Sequence, residues 1–231
     1  MRMSIPFDSN NLFPLLKDDQ KSYTLEQLHS QQVDNFLNIR TDKTEGYISV
    51  NYRGIQKQNK QGMPIQYWID LPIEALLTPY TEIREILEQL KPQNNQHIID
   101  LGAGYGRMGF VMHKHFPDTL FTGFEVIAER VLEGQTALKR FGCKNANLIH
   151  QDLAAPSFIL PKADYYFIYD FGSKQSVQKT LLDLQKIAQS NPIVVVGRGR
   201  LSRDLIEQNH PWLSQVQKPI HTERYSIYKS H

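Results

Sequence analysis

From residue 96 onward, short apolar runs alternate with segments of helical periodicity, a pattern typical of a parallel β-sheet covered on both faces. The apolar runs predict five strands, at residues 97–101, 120–126, 147–150, 164–170 and 193–197. The last run is rich in valine, as expected for a strand that is buried on both sides.

The segments between these runs carry the helical pattern. They predict helices at residues 107–115, 128–141 and 174–189, and a weaker one at 203–208. Gly142 follows the second helix, where a glycine commonly ends a helix. The tail, residues 212–229, predicts two strands interrupted around Lys218 and Pro219. The expected fold class is α/β, a Rossmann-like doubly wound sheet that is mostly parallel, with an antiparallel C-terminal hairpin.

The first 91 residues follow a different pattern and are rich in glutamine and asparagine. They predict an amphipathic helix at 25–39, a β-hairpin with strands at 46–55 and 64–71 joined by the polar turn 56–62, and a helix at 72–90. We therefore expect two parts, an α+β N-terminal extension at residues 1–91 and a ligand-binding domain at residues 92–231.

The strongest chemical signal is a strand that runs directly into a glycine-spaced turn and a helix. The turn consists of Gly102, Ala103, Gly104, Tyr105 and Gly106. Glycines let the backbone take positive φ angles and approach a ligand closely, and the free amides of the next helix can hold a carboxylate. Asp100, near the strand end, can meet an ammonium group beside that carboxylate.

Acidic residues also follow the next two strands. Glu125, with Val126 beside it, ends the second strand, where a carboxylate can accept both hydroxyls of a ribose. Asp152 and Leu153 follow the third strand, where a carboxylate can accept a hydrogen bond from an adenine amino group. One acid after each of three successive strands favours S-adenosylmethionine (SAM) as the cofactor.

A dinucleotide site is the rival interpretation, because Gly104, Gly106 and Gly109 match the glycine spacing of that motif. The position of these glycines relative to the end of the first strand does not fit the dinucleotide motif. In a dinucleotide fold the first glycine comes right after the strand, and counting from Gly102 puts Arg107 where the third glycine belongs. A carboxylate in this turn would also repel a pyrophosphate. NAD is therefore the weaker expectation.

The segment from Asp100 to Gly106, together with Glu125, resembles the first two SAM motifs of class I methyltransferases. More narrowly, residues 78–170 resemble the protein-lysine methyltransferases of the telomeric-silencing-type histone and ATP-synthase c-subunit group, in which a proline-aromatic segment precedes a similar loop. Tyr105 stands where some members have an acid, and residues 169–173 do not match their pattern. The resemblance implies methyl transfer, with a protein lysine as the acceptor.

Three residues are candidates for the catalytic side of the site. Asp170, at the end of the fourth strand, could orient or deprotonate the acceptor, and it could equally cap the helix that begins near Lys174. Phe171 and Tyr80 are candidate walls of the methyl channel, because aromatic faces attract cations. For Tyr80, packing in the core is an equal alternative.

After the fifth strand, residues 197–203 hold three arginines beside the carboxyl ends of the strands. Arg198 and Arg200 could bind a phosphate or an acidic substrate through their guanidinium groups. The alternative is a solvated loop that leads into a helix capped by Ser202.

Composition narrows the function classes. The 26 Lys and Arg residues against 24 Asp and Glu residues leave a formal charge of +2, which gives no strong pull toward nucleic acid or membrane. The single cysteine, Cys143, excludes an intrachain disulfide, and His113 and His115 diverge around their helix, so no metal site is expected. With no signal-like or membrane-spanning apolar run, we expect a cytoplasmic protein.

Several alternatives stay open. Small-molecule N- or O-methylation and RNA methylation are possible within the enzyme class, and a SAM-binding protein without catalysis is possible outside it. Substrate choice is expected in residues 1–91, folded over the site as a lid, because the insertions of the core are short.

Overall fold

The N-terminal extension is helical in the computed structural model, which describes residues 4–59, 68–69 and 71–231. Its α-helices are α1 (Tyr23–Phe36), α2 (Thr41–Asn59), α3 (Ile73–Leu76) and α4 (Tyr80–Leu90). A short 3-10 helix, Asp18–Gln20, precedes them.

The second part alternates strands and helices as the apolar pattern predicts. Its strands are β1 (His97–Leu101), β2 (Leu120–Glu125), β3 (Ala146–His150), β4 (Tyr165–Tyr169), β5 (Val194–Arg198), β6 (Ile220–His221) and β7 (Tyr225–Lys229). Its helices are α5 (Arg107–His115), α6 (Ala128–Phe141), α7 (Lys174–Ala188) and α8 (Arg200–Asn209). None of the helices in the described ranges is long and apolar enough to cross a membrane.

The strands form one sheet in the order β3-β2-β1-β4-β5-β7-β6. The pairs from β3 through β5 are parallel, and β7 pairs antiparallel with both β5 and β6. This arrangement confirms the predicted fold class. The chain order reverses between β1 and β4, and ligands of such sheets bind outside the carboxyl ends of the strands at that point.

The hydrophobic core lies on both faces of the sheet. In β4, Tyr165 and Phe167 point to one apolar cluster, whereas Tyr166 and Ile168 point to the other, as the two-residue period of a strand requires. The cluster of Tyr165 also contains residues of α1 and α4 and the buried Phe13. The N-terminal extension therefore packs directly into one side of the core.

The predicted strand at 46–55 is wrong, because this segment belongs to helix α2. Ile48 and Tyr52 are one helical turn apart and pack together against Ile69 and Ile127. In the helix, residues four apart share one face, so both side chains turn toward these apolar partners. In the predicted second strand at 64–71, residues 68, 69 and 71 are not in a strand, and the others lie outside the described residues.

The predicted helix at 72–90 is two helices, because the chain leaves the helical conformation at Leu77 and Thr78. Pro79 explains the break, since a proline has no amide hydrogen and disfavours a helical residue before it. Other predicted bounds shift less. Helix α1 ends before residue 39, α8 begins earlier than predicted, and a 3-10 helix, Pro211–Leu213, replaces the start of the first tail strand.

Asp170 fixes the loop between β5 and α8 and explains a glycine in it. Its carboxylate accepts hydrogen bonds from the amides of Leu201 and Ser202 and from the Ser202 hydroxyl, so it caps α8. Gly199 has a φ of +87°, and a Cβ there would lie 2.4 Å from Oδ2 of Asp170. No other residue type fits this position without displacing the cap.

Replacing Gly199 with alanine should therefore destabilise the fold more than the same change at Gly142. Gly142 also has a positive φ, +83°, but an added Cβ meets nothing within 4 Å. We expect Gly142→Ala to lower the free energy of unfolding by about 1–2 kcal/mol, the cost of the left-handed conformation. Gly199→Ala should lose about 1 kcal/mol more, because the cap of α8 is disturbed. Urea denaturation measures both, and equal losses would contradict this account.

Candidate active site

A cleft lies at the carboxyl ends of β1, β2, β3 and β4, where the chain order of the sheet reverses. The predicted site residues that line it are Gly102, Gly104, Glu125, Val126, Asp152, Leu153, Asp170 and Phe171. A smaller inner cavity adjoins it, and its lining includes Asp100, Ala103 and Arg198. Gly106, Tyr80 and Arg200 line neither space, although Gly106 belongs to the same turn.

The glycine turn needs its glycines for conformation and for space. Gly102, Gly104 and Gly106 have φ angles of +92°, +55° and +73°. The amides of Gly102 and Ala103 both donate to the carbonyl of Phe124, which fastens the turn to β2. A Cβ on Gly102 would lie 2.4 Å from that of Phe171, so the turn presents bare backbone to the cleft.

Glu125 is buried and held at both oxygens by backbone amides. Oε2 accepts from the Gly104 amide at 3.0 Å, and Oε1 accepts from the Ile127 amide at 2.9 Å. A carboxylate offers about four lone-pair sites, so about two remain for hydroxyl donors such as those of a ribose. The ordered side chain therefore suits the role that the sequence predicts.

Asp152 is half-buried at the end of β3, in the part of the cleft beside Leu153. Its Oδ1 accepts from the Ala154 amide at 2.8 Å, which fixes the carboxylate in a tight turn. Oδ2 can then accept from an amino group in the cleft.

Asp100 lines the inner cavity next to the glycine turn. Burial, and secondarily the negative charge of Glu125, raise the pKa of the Asp100 carboxyl to about 7. A ligand ammonium beside Asp100 would stabilise the charged form. The carboxylates present fit the polar groups of SAM, and we expect Asp100, Glu125 and Asp152 to hold its ammonium, ribose and adenine respectively.

Asp170 caps α8. In the sequence alone, Asp170 is instead a candidate cap for α7, the helix that begins at Lys174. Ser173 caps α7, because its hydroxyl oxygen accepts from the Ser176 amide. Asp170 also has a positive φ of +29°, which is uncommon for a residue other than glycine. Its carbonyl accepts from the indole nitrogen of Trp68 at 2.7 Å. The residue thus joins three segments at the mouth of the cleft.

Tyr80 lies away from the cleft, fully buried at the start of α4. Its hydroxyl donates to Asp34, and the Arg107 guanidinium lies 5.0 Å from the centre of its ring. Arg107 in turn pairs with Asp34. Burial, and next the charge of Asp34, raise the pKa of Tyr80 well above its usual value. The structure therefore places Tyr80 in a packed polar cluster between α1 and α5.

The two predicted substrate arginines lie in different environments. Arg198 is buried, pairs with Glu82 at 2.5 Å and stacks on the Tyr169 ring at 4.1 Å. The Arg200 side chain is 94 % exposed, with its Nε 3.4 Å from Asp204. The structure does not bring these two guanidinium groups together.

Sequence reasoning missed several residues that line the cleft, notably Trp68, Leu77, Arg130 and Tyr169. Trp68 and Leu77 reach the site only because the extension docks on the core. Arg130 lies on α6 and reads as an ordinary charged helix residue in the sequence. No metal-binding group of histidine, cysteine, aspartate or glutamate occurs among the described residues.

A family model described as "methyltransferase small domain" matches residues 83–162, about a third of the chain. The matched segment runs from α4 past β3 and contains Asp100, Glu125 and Asp152, together with the glycine turn. Among curated proteins, no sequence matches this chain.

Solved structures share the fold at low sequence identity. The pyocyanin biosynthetic protein PhzM has a TM-score of 0.50 at 10% identity, over 65% of this chain and 55% of its own. An RNA methyltransferase from Salinibacter ruber, in complex with S-adenosyl-L-homocysteine, has a TM-score of 0.48 at 18% identity, over 66% of this chain and 91% of its own. A precorrin-6y C5,15-methyltransferase from Geobacter metallireducens has a TM-score of 0.49 at 18% identity, over 67% and 87%.

The sheet order, the matched methyltransferase model and the position of one acid at or close to the carboxyl end of each of the first three strands agree with one another. The chain therefore has the Rossmann-like fold of SAM-dependent methyltransferases, and its residues 83–162 match a methyltransferase domain that indicates this activity.

Proposed function

We propose that this methyltransferase acts on an amine, and that the acceptor is a lysine side chain of a protein. The observation that carries the proposal is the charge of the site. Each arginine that lines the cleft or the inner cavity, in the part of the chain that the structure describes, is paired with a carboxylate of the extension. The pairs are Arg107 with Asp34, Arg130 with Glu45 and Arg198 with Glu82.

The remaining charged residues of the lining are acids: Asp100, Glu125, Asp152 and Asp170. None of the three arginines is left to hold an anion, so a phosphate or an acidic acceptor gains little in this site. A cationic cofactor and an ammonium acceptor are attracted instead. This charge balance favours a lysine or another amine and disfavours RNA.

Aromatic side chains support the same acceptor class. Trp68, Tyr169 and Phe171 line the cleft where the end of β4 meets the extension. Aromatic faces attract a cation by about 0.5–2 kcal/mol and exclude water. The aliphatic stem of a lysine would pack against such walls, which makes it a better fit than a fully polar acceptor.

When bound, SAM supplies an electrophilic methyl group, and the acceptor nitrogen must present a free lone pair. The protein mainly aligns the acceptor and keeps water out. The acids attract the amine as an ammonium ion, which loses its proton to solvent before the aromatic walls enclose it, because desolvation favours the neutral form. Because the Asp170 carboxylate is engaged with α8, we assign it a positioning role: it holds the turn that carries Phe171.

Acceptor recognition is proposed to reside in the extension, residues 1–91. Trp68, Leu71 and residues 75–77, all of the extension, line the cleft. A small-molecule amine is the second candidate, because the same charge and aromatic walls would attract it.

Tritiated methyl transfer tests the acceptor. Purified protein is incubated with labelled SAM and a cell lysate, and the label is followed into protein, RNA and small-molecule fractions. We expect label in protein, released as methyl-lysine after acid hydrolysis. Glu125→Ala should abolish the transfer because the ribose loses its acceptor group, whereas Glu207→Ala, on α8 outside the cleft, should keep it.

Label in RNA or in a small molecule would replace the lysine proposal. Retained binding of S-adenosylhomocysteine without transfer to any fraction would indicate a binding protein without catalysis.

The raised pKa of Asp100 predicts a pH-dependent cofactor affinity. Below about pH 7 the carboxyl of the free protein is protonated, so binding of the ligand ammonium must first displace a proton. The affinity for S-adenosylhomocysteine should therefore fall about tenfold from pH 8 to pH 6. In Asp100→Asn, the affinity should be lower at pH 8 and flat over this range. Calorimetric titration at several pH values measures this dependence.

The raised pKa of Asp100 also predicts how the stability of the ligand-free protein depends on pH. Because folding raises the pKa of this acid, the stability it contributes at low pH is lost as the pH rises from about 4 to about 7. Asp100→Asn should accordingly raise the melting temperature at pH 8 while it weakens cofactor binding. A lower melting temperature at pH 8 would contradict the raised pKa, and an unchanged affinity would contradict the assignment of Asp100 to the ligand ammonium.

A further inference from the structure

Arg130 connects the ribose acid to the N-terminal extension. It lies on α6, lines the cleft and is buried. Its Nε and Nη2 donate to the two carboxylate oxygens of Glu45, on α2, at 2.8 and 2.9 Å. Nη2 also donates to the carbonyl of Trp68 at 2.7 Å, and the Tyr105 hydroxyl donates to Glu45 at 2.7 Å. Arg130 is therefore held from the side of the extension.

The remaining nitrogen of Arg130 faces Glu125. Its Nη1 lies 3.8 Å from Oε1 of Glu125, close enough for attraction but beyond hydrogen-bond distance. Both oxygens of Glu125 already accept one backbone amide each. A direct bidentate pair with Arg130 would occupy the positions that ribose hydroxyls need.

Glu45 competes with Glu125 for the same guanidinium. A buried arginine that loses one carboxylate partner moves toward the next available one, because an unpaired buried charge is strongly unfavourable. The nearest alternative here is Glu125. Without Glu45, the Arg130 side chain would be drawn onto the ribose acid.

We propose that Glu45 is a positioning residue for the cofactor site: by holding Arg130, it leaves the oxygens of Glu125 free to accept the ribose hydroxyls. The extension is then part of the cofactor site as well as a cover for it. This inference depends on SAM as the cofactor and is independent of the acceptor.

Glu45→Gln tests the inference, with Glu133→Gln as the matched control. Glu133 lies on α6 and accepts three hydrogen bonds from Arg40, just before α2, so it joins the same two elements with the same chemistry. It does not line the cleft. Calorimetric titration with S-adenosylhomocysteine should show about tenfold weaker binding for Glu45→Gln and less than about twofold change for Glu133→Gln.

A second ligand distinguishes a specific effect on the oxygens of Glu125 from a general destabilisation of the site. The 2′-deoxy analogue of S-adenosylhomocysteine lacks one ribose hydroxyl. The wild type should bind this analogue about tenfold more weakly than the parent compound, since a hydrogen bond to a charged group is lost. In Glu45→Gln the ratio of the two affinities should fall toward one, because Arg130 has taken the oxygens of Glu125.

The outcomes are distinct. Equal losses in the two glutamine variants, or an unchanged deoxy ratio in Glu45→Gln, would overturn the proposal. If Glu45→Gln does not fold, Glu45→Asp keeps the charge but shortens its reach, and it should show a smaller change of the same ratio. A wild type that binds neither ligand would refute the cofactor assignment itself, and failure to methylate lysine would leave these binding results untouched.

Discussion

The structure depends on the neutralisation of buried arginines at the carboxyl edge of the sheet. Arg107, Arg130 and Arg198 come from the core, and their carboxylate partners all come from α1, α2 and α4 of the extension. A buried charge without its partner costs several kcal/mol, so the two parts of the chain stabilise each other at these points. Arg224, just before β7, extends the same arrangement to the C-terminal hairpin, because it pairs with acids of α1 and α4.

This pairing also sets the chemistry of the cleft. The extension pairs with the arginines, so among the described residues no guanidinium donates a hydrogen bond to Asp100, Glu125 or Asp152. These acids can therefore meet the polar groups of a ligand. The glycine turn supplies backbone without side chains beside them. The proposed preference for an amine acceptor has the same physical basis as the proposed cofactor site, namely that the arginines of the site are already paired with acids of the extension.

Local sequence patterns predict most of the strands and helices of the sheet domain. The prediction of β1 and α5 matches the structure to the residue, because apolar periodicity and the glycine turn mark their ends. Helix α2 was mispredicted since Ile48 and Tyr52 gain their partners only when the extension docks on the core. The pairing of Arg130 with Glu45 spans 85 positions, and Asp170 caps a helix that begins 30 residues later, so neither contact leaves a local signal.

The proposed chemistry requires that the cleft binds SAM and not a dinucleotide. The most direct measurement is a calorimetric titration of the purified chain with S-adenosylhomocysteine, run in parallel with NADH. We predict saturable binding of one S-adenosylhomocysteine per chain and none of NADH, because carboxylates at the ends of three neighbouring strands can accept from ammonium, hydroxyl and amino groups and repel a pyrophosphate. Binding of NADH without S-adenosylhomocysteine would contradict the account.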